Sequence, residues 1–473
     1  MAFRAARPKK EKNVDPGSGS SGFPRFSAAV PEVSAAVCVS SVPALLVFRH
    51  PPSAYLISET SGSLIAGSRH KPFPRRGSPL QFATGPSPDK SMSTSRRFRL
   101  SAARASILAA SIVVFASPAL AQRLPAKLSD SAFWKLVTDF SEPGGYFRSD
   151  NFVSNETTYQ WVIPDLLRTT KPGGVYLGVG PDQNFTYIVA LKPKIAFIFD
   201  IRRQNMLTHL MYKALIESST DRADFLSRLF SRARPPGLDS STSAEALFSA
   251  FAPIAPDSIR FKKNLGSIRD ILTKQHGFKV SESDWGGITY VYEAFVEAGP
   301  GITYNFNQAR GGFGRGQMPS YAALQIERDS AGVHRSYMAT EANFRALKEI
   351  EVNNLLVPLV GDFAGPKAIR AVADYIKQNQ ATVTAFYLSN VEQYLFQQGD
   401  DWRKFYTNVG ALPLDSTSTF IRSVFNGWVG YSRGAAFGPY MRNQQLLASM
   451  LDQYRAFAAG RLTMYDEVIQ TSR

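Results

Sequence analysis

Two glycines and a carboxylate are spaced in residues 174–200 as in a nucleoside-binding loop. Gly178 and Gly180 form a Gly-x-Gly turn after residues 175–177, a β-branched and aromatic run, and glycines let a backbone approach a ligand closely. Asp200 follows the apolar residues 195–199 and lies 20 residues after Gly180. In a βαβ cofactor fold, a carboxylate at this spacing accepts hydrogen bonds from a ribose diol. The alternative is an ordinary βαβ crossover with a tight turn and a solvent-facing Asp200.

The turn lacks the third glycine of the G-x-G-x-x-G fingerprint, because Gln183 stands in its place. Without that glycine a pyrophosphate loses its closest approach to the helix N-terminus. The pattern therefore favours a ligand without phosphate, such as S-adenosylmethionine, over a dinucleotide. Asp182 lies near the start of the helix predicted over Gln183–Leu191, which Pro193 ends.

Two later apolar runs also end in polar side chains. Residues 354–360 are followed by Asp362, and residues 382–388 by Asn390 and Glu392. Ligands in doubly wound sheets bind beyond the carboxyl ends of the strands, so we expect these side chains to meet the glycine turn at one edge. Asp362 is predicted to meet an adenine amino group, and Asn390 and Glu392 to face the reacting centre as catalytic residues. The alternative is that they cap helices.

Alternating strand and helix patterns predict an α/β fold with a doubly wound, mostly parallel sheet around these residues. A further strand is predicted at 420–425. The predicted helices cover residues 128–140 with Ser129 or Asp130 as cap, 157–169, 183–191, 205–217, 340–350 with Thr340 as cap, 366–378 and 443–457.

Residues 218–340 interrupt the alternation and are predicted to form a large insertion or cap. Within them we predict helices at 222–232 and 243–251, a strand at 288–296, and a hairpin from 321–327 and 334–338. The sequence RGGFGRG at 310–316 resembles an RNA-binding box, but real boxes repeat, so a flexible glycine loop over an active site is favoured.

Residues 141–156, SEPGGYFRSDNFVSNE, crowd polar side chains between aromatic ones. The polar members are Arg148, Asp150, Asn151, Asn155 and Glu156, and the aromatic ones are Tyr146, Phe147 and Phe152. This composition is typical of a lid or substrate loop, and equally of a solvated connection with aromatic anchors. Arg202 and Arg203 directly follow Asp200, and we predict that they pair with nearby acids rather than hold an acidic substrate.

The first 121 residues differ in kind from the rest. Residues 1–91 are rich in Pro, Ser, Arg and Gly without periodic apolar patterning, which predicts a disordered extension. From Met92 follow a basic region, the apolar residues 107–115 and Ala119-Leu120-Ala121, the layout of a secretory signal peptide over 92–121. We therefore expect Met92 to be the true start and the protein to be periplasmic or secreted. The apolar run is too short for a membrane anchor.

The basic charge of the chain belongs mostly to these residues. The whole chain carries +16, but residues 1–121 hold 16 Lys and Arg against 5 Asp and Glu, which leaves 38 against 33, or +5, from Gln122 onward. No nucleic-acid partner is therefore expected. The partner that we expect is a small-molecule ligand. The single cysteine, Cys38, also lies in this part, so residues 122–473 contain no disulfide and no thiolate nucleophile.

Other chemistries lack their motifs. The chain has no Walker A loop and no H-E-x-x-H. The histidines after residue 121, His209, His276 and His334, are not spaced as metal ligands. We predict no metal site.

The glycine turn, Asp200, Asp362 and Asn390, taken in strand order, resemble the Rossmann-like core of class I S-adenosylmethionine-dependent methyltransferases. The stretches GVYLGVGPDQN, FIFDIRRQN, VGDFAGPKA and TAFYLSNVEQYL, together with residues 141–156, resemble a bacterial family of exported hypothetical proteins with that core. The resemblance implies S-adenosylmethionine as cofactor. It implies a pocket lined by Gly178, Gly180, Asp200 and Asp362, with Asp182, Gln183, Ile201 and Phe363 beside them. No Asn-Pro-Pro-Tyr follows the fourth predicted strand, so methylation of a base amino group is not implied.

Three functions are compatible with these patterns. The first is a methyltransferase-like enzyme that positions a methyl group for in-line transfer, mainly through proximity and orientation. The second is a non-catalytic, exported Rossmann-fold protein that binds or senses an envelope metabolite, since S-adenosylmethionine is made in the cytoplasm. The third is a structural envelope protein.

Overall fold

The computed structural model describes residues 123–305, 318–425 and 443–473, which form an α/β fold around a six-stranded, mostly parallel sheet. The strands are β1 (Val175–Val179), β2 (Ile195–Asp200), β3 (Leu356–Val360), β4 (Val383–Ser389), β5 (Thr419–Phe425) and β6 (Asn443–Ser449). Their order is β3-β2-β1-β4-β5-β6, with β1 to β5 parallel and β6 antiparallel to β5. The chain thus builds the sheet outward in one direction from β1 to β3 and in the other from β4, so the order reverses between β1 and β4.

The central strands form where the sequence is apolar on both faces. Every residue of β1, β2 and β3 is buried, Asp200 included. Strands covered on both faces read as continuous apolar runs rather than alternating ones, which is why the first four predicted strands lie within a residue or two of the observed ones.

Helices connect the strands and join the same buried core. Those of the described residues are α1 (Asp130–Phe140), α2 (Ile163–Thr169), α3 (Gln183–Leu191), α4 (Arg203–Ser218), α5 (Arg222–Leu229), α6 (Ala244–Phe251), α7 (Ser258–Asp270), α8 (Glu282–Ala298), α9 (Tyr321–Ile326), α10 (Glu341–Val352), α11 (Ala368–Gln378), α12 (Val391–Gln397), α13 (Asp401–Ala411), α14 (Met450–Ala458) and α15 (Tyr465–Gln470). The predicted caps of α1 and α10 are confirmed, because Ser129 accepts from Ala132 N and Thr340 from Asn343 N.

The strand predicted at 288–296 is wrong, because these residues lie inside α8. Ser281 caps that helix by accepting from Asp284 N, and the buried side chains recur at Trp285, Ile288, Val291, Tyr292 and Phe295. This spacing is helical. The β-branched and aromatic content suggested a strand, but the cap and the period decide the local structure.

The predicted hairpin is also wrong. Its first arm is the short helix α9, capped by Ser320, and its second arm forms no strand. Only the turn between them exists, with Gly332 N donating to Asp329 O at 2.9 Å. The aromatic residues of both arms pack instead, and the hydroxyl groups of Tyr321 and Tyr337 lie 2.6 Å apart.

The helix predicted over 443–457 is wrong in its first half. Residues 443–449 form β6 along the edge of β5, and the helix starts only at Met450, where Ser449 caps it through Asp452 N. Similarly, α2 begins at Ile163 rather than at residue 157, after a residue, Thr158, with φ of 65°.

Residues 218–340, predicted as an insertion or cap, contain α5 to α9 and contribute no strand to the sheet in their described part. Their buried side chains share one hydrophobic core with the strands. Across the described ranges, we find no helix long and apolar enough to cross a membrane. The predicted extension, the signal peptide and the glycine loop 310–316 lie outside the described residues.

Candidate functional site

A cleft opens at the carboxyl edge of the sheet, where the strand order reverses. It encloses about 970 Å³, counted out to the solvent at its mouth, which is within the size range of small-molecule sites. Four neighbouring parallel strands contribute to its lining through the residues at or just after their ends. These are Val179 and Gly180 after β1, Asp200 and Ile201 after β2, Gly361, Asp362 and Phe363 after β3, and Ser389, Asn390 and Val391 after β4.

The facing wall comes from the segment 146–156 and from α12. Its aromatic members are Tyr146, Phe147 and Tyr394, and Tyr304, which follows α8 in the chain, also lines the cleft. The rings of Phe147 and Tyr394 meet edge to face at 5.6 Å between centroids. Residues 141–156, predicted as a lid or a solvated connection, therefore form one wall of the cleft.

The two glycines of the turn have different roles. Gly180 lines the cleft with φ of 79°, a conformation that favours glycine. Gly178 does not line it, and a Cβ there would lie 2.0 Å from Asn184 Oδ1. Asn184 Nδ2 donates to the carbonyl oxygens of Val179 at 2.9 Å and Pro181 at 2.7 Å. Gly178 thus makes room for the side chain that fixes the turn.

The start of α3 separates two of the predicted cofactor residues. Gln183 lines the cleft, and its Nε2 donates to the Tyr387 hydroxyl at 3.2 Å. Asp182 does not line it. This carboxyl is buried against Gln325 Nε2 at 2.8 Å and the Tyr337 hydroxyl at 3.1 Å, and burial raises its pKa to about 7.

Asp200 lines the cleft as a nearly buried carboxylate. Its Oδ1 accepts from Arg202 N at 2.8 Å and lies 3.5 Å from Arg202 Nε. Burial raises the pKa of Asp200, and Arg202 opposes that rise. Among the described residues all hydrogen bonds to this carboxyl use Oδ1, so Oδ2 has no protein donor there. Ile201 lines the cleft too, and its carbonyl accepts from Gly145 N at 2.7 Å.

Both arginines after Asp200 pair with acids, as predicted. Arg202 also donates to the carbonyl oxygens of Ser149 and Asp150, which ties the segment 146–156 to β2. Arg203 holds Asp284 with two hydrogen bonds, 2.6 Å from Nε and 2.8 Å from Nη2.

Asp362 and Phe363 line the cleft at the end of β3. Asp362 Oδ1 accepts from Ala364 N at 2.9 Å, and burial, with Glu142 and Asp401 nearby, raises the pKa of Asp362. The ring of Phe363 stacks on Phe405 at 5.4 Å. Both residues are held firmly at the edge.

The N-terminus of α11, next to Asp362, is filled by a side chain of the protein. Glu142 Oε1 accepts from Lys367 N at 2.7 Å and Ala368 N at 2.8 Å, and its Oε2 from Asp362 N at 3.0 Å. Free amides at a helix N-terminus bind anions such as phosphate. Here the carboxylate of Glu142 occupies those amides.

The structure separates the two predicted catalytic residues. Asn390 lines the cleft directly after β4. Glu392 does not, which corrects the expectation that it faces the reacting centre. It is 2% exposed and forms a buried ion pair with Arg422 while accepting from the Tyr406 hydroxyl at 2.6 Å. Glu392 is the second residue of α12, three positions after the end of β4, and its side chain turns into the core.

Sequence reasoning missed Glu156 as a site residue. It lines the cleft, is 1% exposed, and accepts hydrogen bonds from Tyr387 at 2.6 Å, Gln445 Nε2 at 3.2 Å and Ser389 Oγ. Burial raises the pKa of Glu156, and these donors oppose the rise. The signal in the sequence was the polar crowding at 141–156, which did not single out this residue.

The backbone at Ser389 is strained. Its φ is 52°, and the pairing of β4 with β5 shifts register there. Positive φ at a residue other than glycine costs free energy and is concentrated at functional sites. In this conformation Ser389 Oγ donates a hydrogen bond to Glu156.

In the described ranges, no group of three or more His, Cys, Asp and Glu side chains is placed to hold a metal ion. The histidines have protein partners. His209 Nε2 lies 2.9 Å from Gly180 O, and His276 lies 2.7 Å from both Asp130 and Glu217.

A family model described as "Domain of unknown function (DUF7790)" matches residues 151–465. The matched residues span more than half of the chain and contain all six strands of the described sheet. No curated protein matches the chain.

Proposed function

Since the chain belongs to the family of the domain of unknown function DUF7790, we propose its function from the cleft alone: it binds S-adenosylmethionine in a Rossmann-like, methyltransferase-like core. The observation that carries this proposal is that Gly180, Asp200, Asp362 and Asn390, from four adjacent parallel strands, line one cleft. Ligands of such sheets bind at the point where the strand order reverses.

The residues fit an adenosine. Asp200, with Oδ2 unused by the described residues, would accept hydrogen bonds from the ribose hydroxyls. Asp362 would accept from the adenine amino group, and Phe363 offers an apolar surface beside it. Gly180 lets the backbone of the turn approach the ligand.

The same edge is unsuited to a diphosphate. Glu142 occupies the amides at the N-terminus of α11, and the carboxyl of Asp182 is buried at the N-terminus of α3. Anions bind helix N-termini when the amides there are free and no like charge is near. This arrangement favours a nucleoside ligand over a dinucleotide.

Methyl transfer to a second molecule is the activity that such a site best supports, with the rate arising from proximity and orientation. The second candidate function is binding or sensing without catalysis. It is favoured by the position of Glu392, which leaves Asn390 as the one member of the predicted catalytic pair in the cleft. Export through the predicted signal peptide would favour it further.

Calorimetry on the purified protein tests the proposal. We expect S-adenosylmethionine and S-adenosylhomocysteine to bind, and NAD⁺ to bind at least tenfold more weakly. Asp200→Ala should weaken nucleoside binding by roughly ten- to hundredfold, the loss of about 1.5–3 kcal/mol for a hydrogen bond to a charged group. Asp466→Ala, at an exposed aspartate of α15, is the matched control. Absent binding of both nucleosides, or preferential binding of NAD⁺, contradicts the proposal.

A further inference from the structure

The cleft has two chemically different halves. Asp200 ends β2 and Asp362 follows β3, on one side of β1 in the sheet order. Ser389 ends β4 and Asn390 follows it on the other side, and Glu156 is hydrogen-bonded to Ser389. If the first half holds the nucleoside, the half around Glu156 is left for a second ligand.

Within the described part of the chain, the buried carboxyl group of Glu156 has no cationic partner. Its hydrogen bonds come from the neutral donors Tyr387, Ser389 and Gln445, and no Lys, Arg or His of the described residues forms an ion pair with it. Burying a carboxylate away from a counterion is costly. A positively charged ligand in the cleft would offset that cost.

The other lining residues also favour a positively charged ligand. Among the described lining residues the ionisable acids are Glu156, Asp200 and Asp362, and there is no Lys, Arg or His. Arg202, behind the lining, neutralises Asp200 but does not reach Glu156.

Aromatic rings complete this environment. Phe147, Tyr304 and Tyr394 line the cleft together with Glu156. Faces of aromatic rings attract ammonium groups, by about 0.5–2 kcal/mol each depending on desolvation. A carboxylate in a cleft that several rings line suits an organic cation.

We propose that the half of the cleft around Glu156 binds a primary or secondary amine as its ammonium ion, with Glu156 as the charge partner. This deepens the proposed function, on which it rests for assigning the other half to the nucleoside. The second ligand, and hence the methyl acceptor, is then an amine rather than an acid. For transfer, the ammonium ion gives one proton to the Glu156 carboxylate, and the freed nitrogen lone pair forms the bond to the methyl carbon as the bond from that carbon to the sulfonium sulfur breaks and S-adenosylhomocysteine leaves.

The test uses three probes that differ mainly in charge: 2-phenylethylamine, 2-phenylethanol and 3-phenylpropionate. Each is titrated calorimetrically at pH 7.5 into the protein saturated with S-adenosylhomocysteine, or into the free protein if that nucleoside does not bind. The nucleoside titration reports on the proposed function and the probes report on this inference, so either can fail alone.

We expect the amine to bind at least about tenfold more tightly than the alcohol, and the propionate most weakly. In Glu156→Gln the advantage of the amine over the alcohol should fall to about twofold or less, while the alcohol binds as before. Glu293→Gln, at an exposed glutamate of α8, should keep the full preference. Preference for the propionate, or an amine preference that survives in Glu156→Gln, overturns the proposal.

A second measurement on the unmodified protein covers a failure of Glu156→Gln to fold. The titratable groups that interact with Glu156 are Tyr176 on β1, Tyr187 on α3 and Tyr387 on β4, all with pKa raised by burial. The other carboxyls among the described residues that line the cleft are Asp200 and Asp362.

Burial raises the pKa of Glu156, so a bound cation should lower that pKa again. Over a series of pH values from 5 to 8, amine binding should therefore release protons, measurable by calorimetry in buffers of different ionisation enthalpy, and alcohol binding should not. Equal proton release for both probes contradicts the proposal.

Discussion

At the scale of single residues, the acids near the sheet edge fall into two groups. Asp200, Asp362 and Glu156 line the cleft, whereas Asp182 and Glu392 are buried away from it and bound to other side chains. Neighbours in sequence thus have different roles, since successive positions at a helix start point in different directions. Proximity to a strand end is not sufficient to assign a residue to the site.

The ion pair of Glu392 and Arg422 gives a prediction at this scale. Glu392→Gln leaves the buried guanidinium of Arg422 without its counterion, so the free energy of unfolding in urea should fall by about 3–5 kcal/mol. The double variant Glu392→Leu with Arg422→Met should recover most of the loss, because it removes both charges.

The affinity for S-adenosylhomocysteine should stay within about twofold of the unmodified protein in that double variant, since neither residue lines the cleft. A stable double variant that no longer binds the nucleoside would contradict this expectation and would show that Glu392 contributes to the site.

At the scale of elements, the segment 141–156 is attached to the ends of two strands. Glu142 N donates to Val360 O at 2.8 Å, and Gly145 N to Ile201 O at 2.7 Å. These bonds join the segment to β3 and β2, and Arg202 holds it again at Ser149. The wall of the cleft is therefore fixed to the edge that it covers.

Glu142→Ala tests this attachment. Loss of the cap should lower the free energy of unfolding by about 0.5–2 kcal/mol. It should also increase amide hydrogen exchange at Lys367, Ala368 and residues 143–150, because the carboxylate connects the start of α11 to the segment.

Ser129→Ala is the control for Glu142→Ala, as it removes a cap at α1 without touching the cleft. It should cost similar stability with unchanged exchange at 143–150. Equal exchange at 143–150 in both variants would show that Glu142 does not hold the wall.

At the scale of the whole molecule, several acids are buried and form no ion pair among the described residues, although Lys213 partly opposes the effect of burial on Glu351. Burial raises the pKa of Asp182 and Glu327 to about 7 and that of Glu351 to about 8. Burial lowers the pKa of His209 to about 4, so this histidine titrates mainly below pH 6.5. These groups make stability depend on pH.

We predict that the free energy of unfolding falls as the pH rises from 6.5 to 8.5. The acids have a higher pKa in the folded than in the unfolded protein, so the folded state retains protons that the unfolded state has lost, and this stabilisation disappears as the pH passes the folded pKa. His276 acts in the same direction, because Glu217 and Asp130 raise its pKa against the opposing effect of burial.

Urea unfolding at several pH values measures this slope. Glu351→Gln should make it shallower, while Glu349→Gln, at an exposed position of the same helix, should not. A stability that is flat or rises over this range would contradict the burial of these acids.

The sequence by itself determined the parallel strands of the sheet and most of the edge. Short, continuous apolar runs specify β1 to β4, because strands that are covered on both faces do not need alternating polar and apolar residues. The residues that follow them, Gly180, Asp200, Asp362 and Asn390, were predicted to meet, and they line one cleft. Parallel strands bring their carboxyl ends to a common edge whatever their separation in the chain, so this part of the site is encoded locally.

Only the tertiary structure decided the rest. Residues 443–449 become a strand because β5 offers an open edge, and Glu392 leaves the site because Arg422, 30 positions away, pairs with it. Glu156 enters the site because Tyr387 and Gln445, from β4 and β6, donate to it. Such contacts join residues far apart in sequence, and a local pattern contains no information about which distant partner will compensate a buried charge.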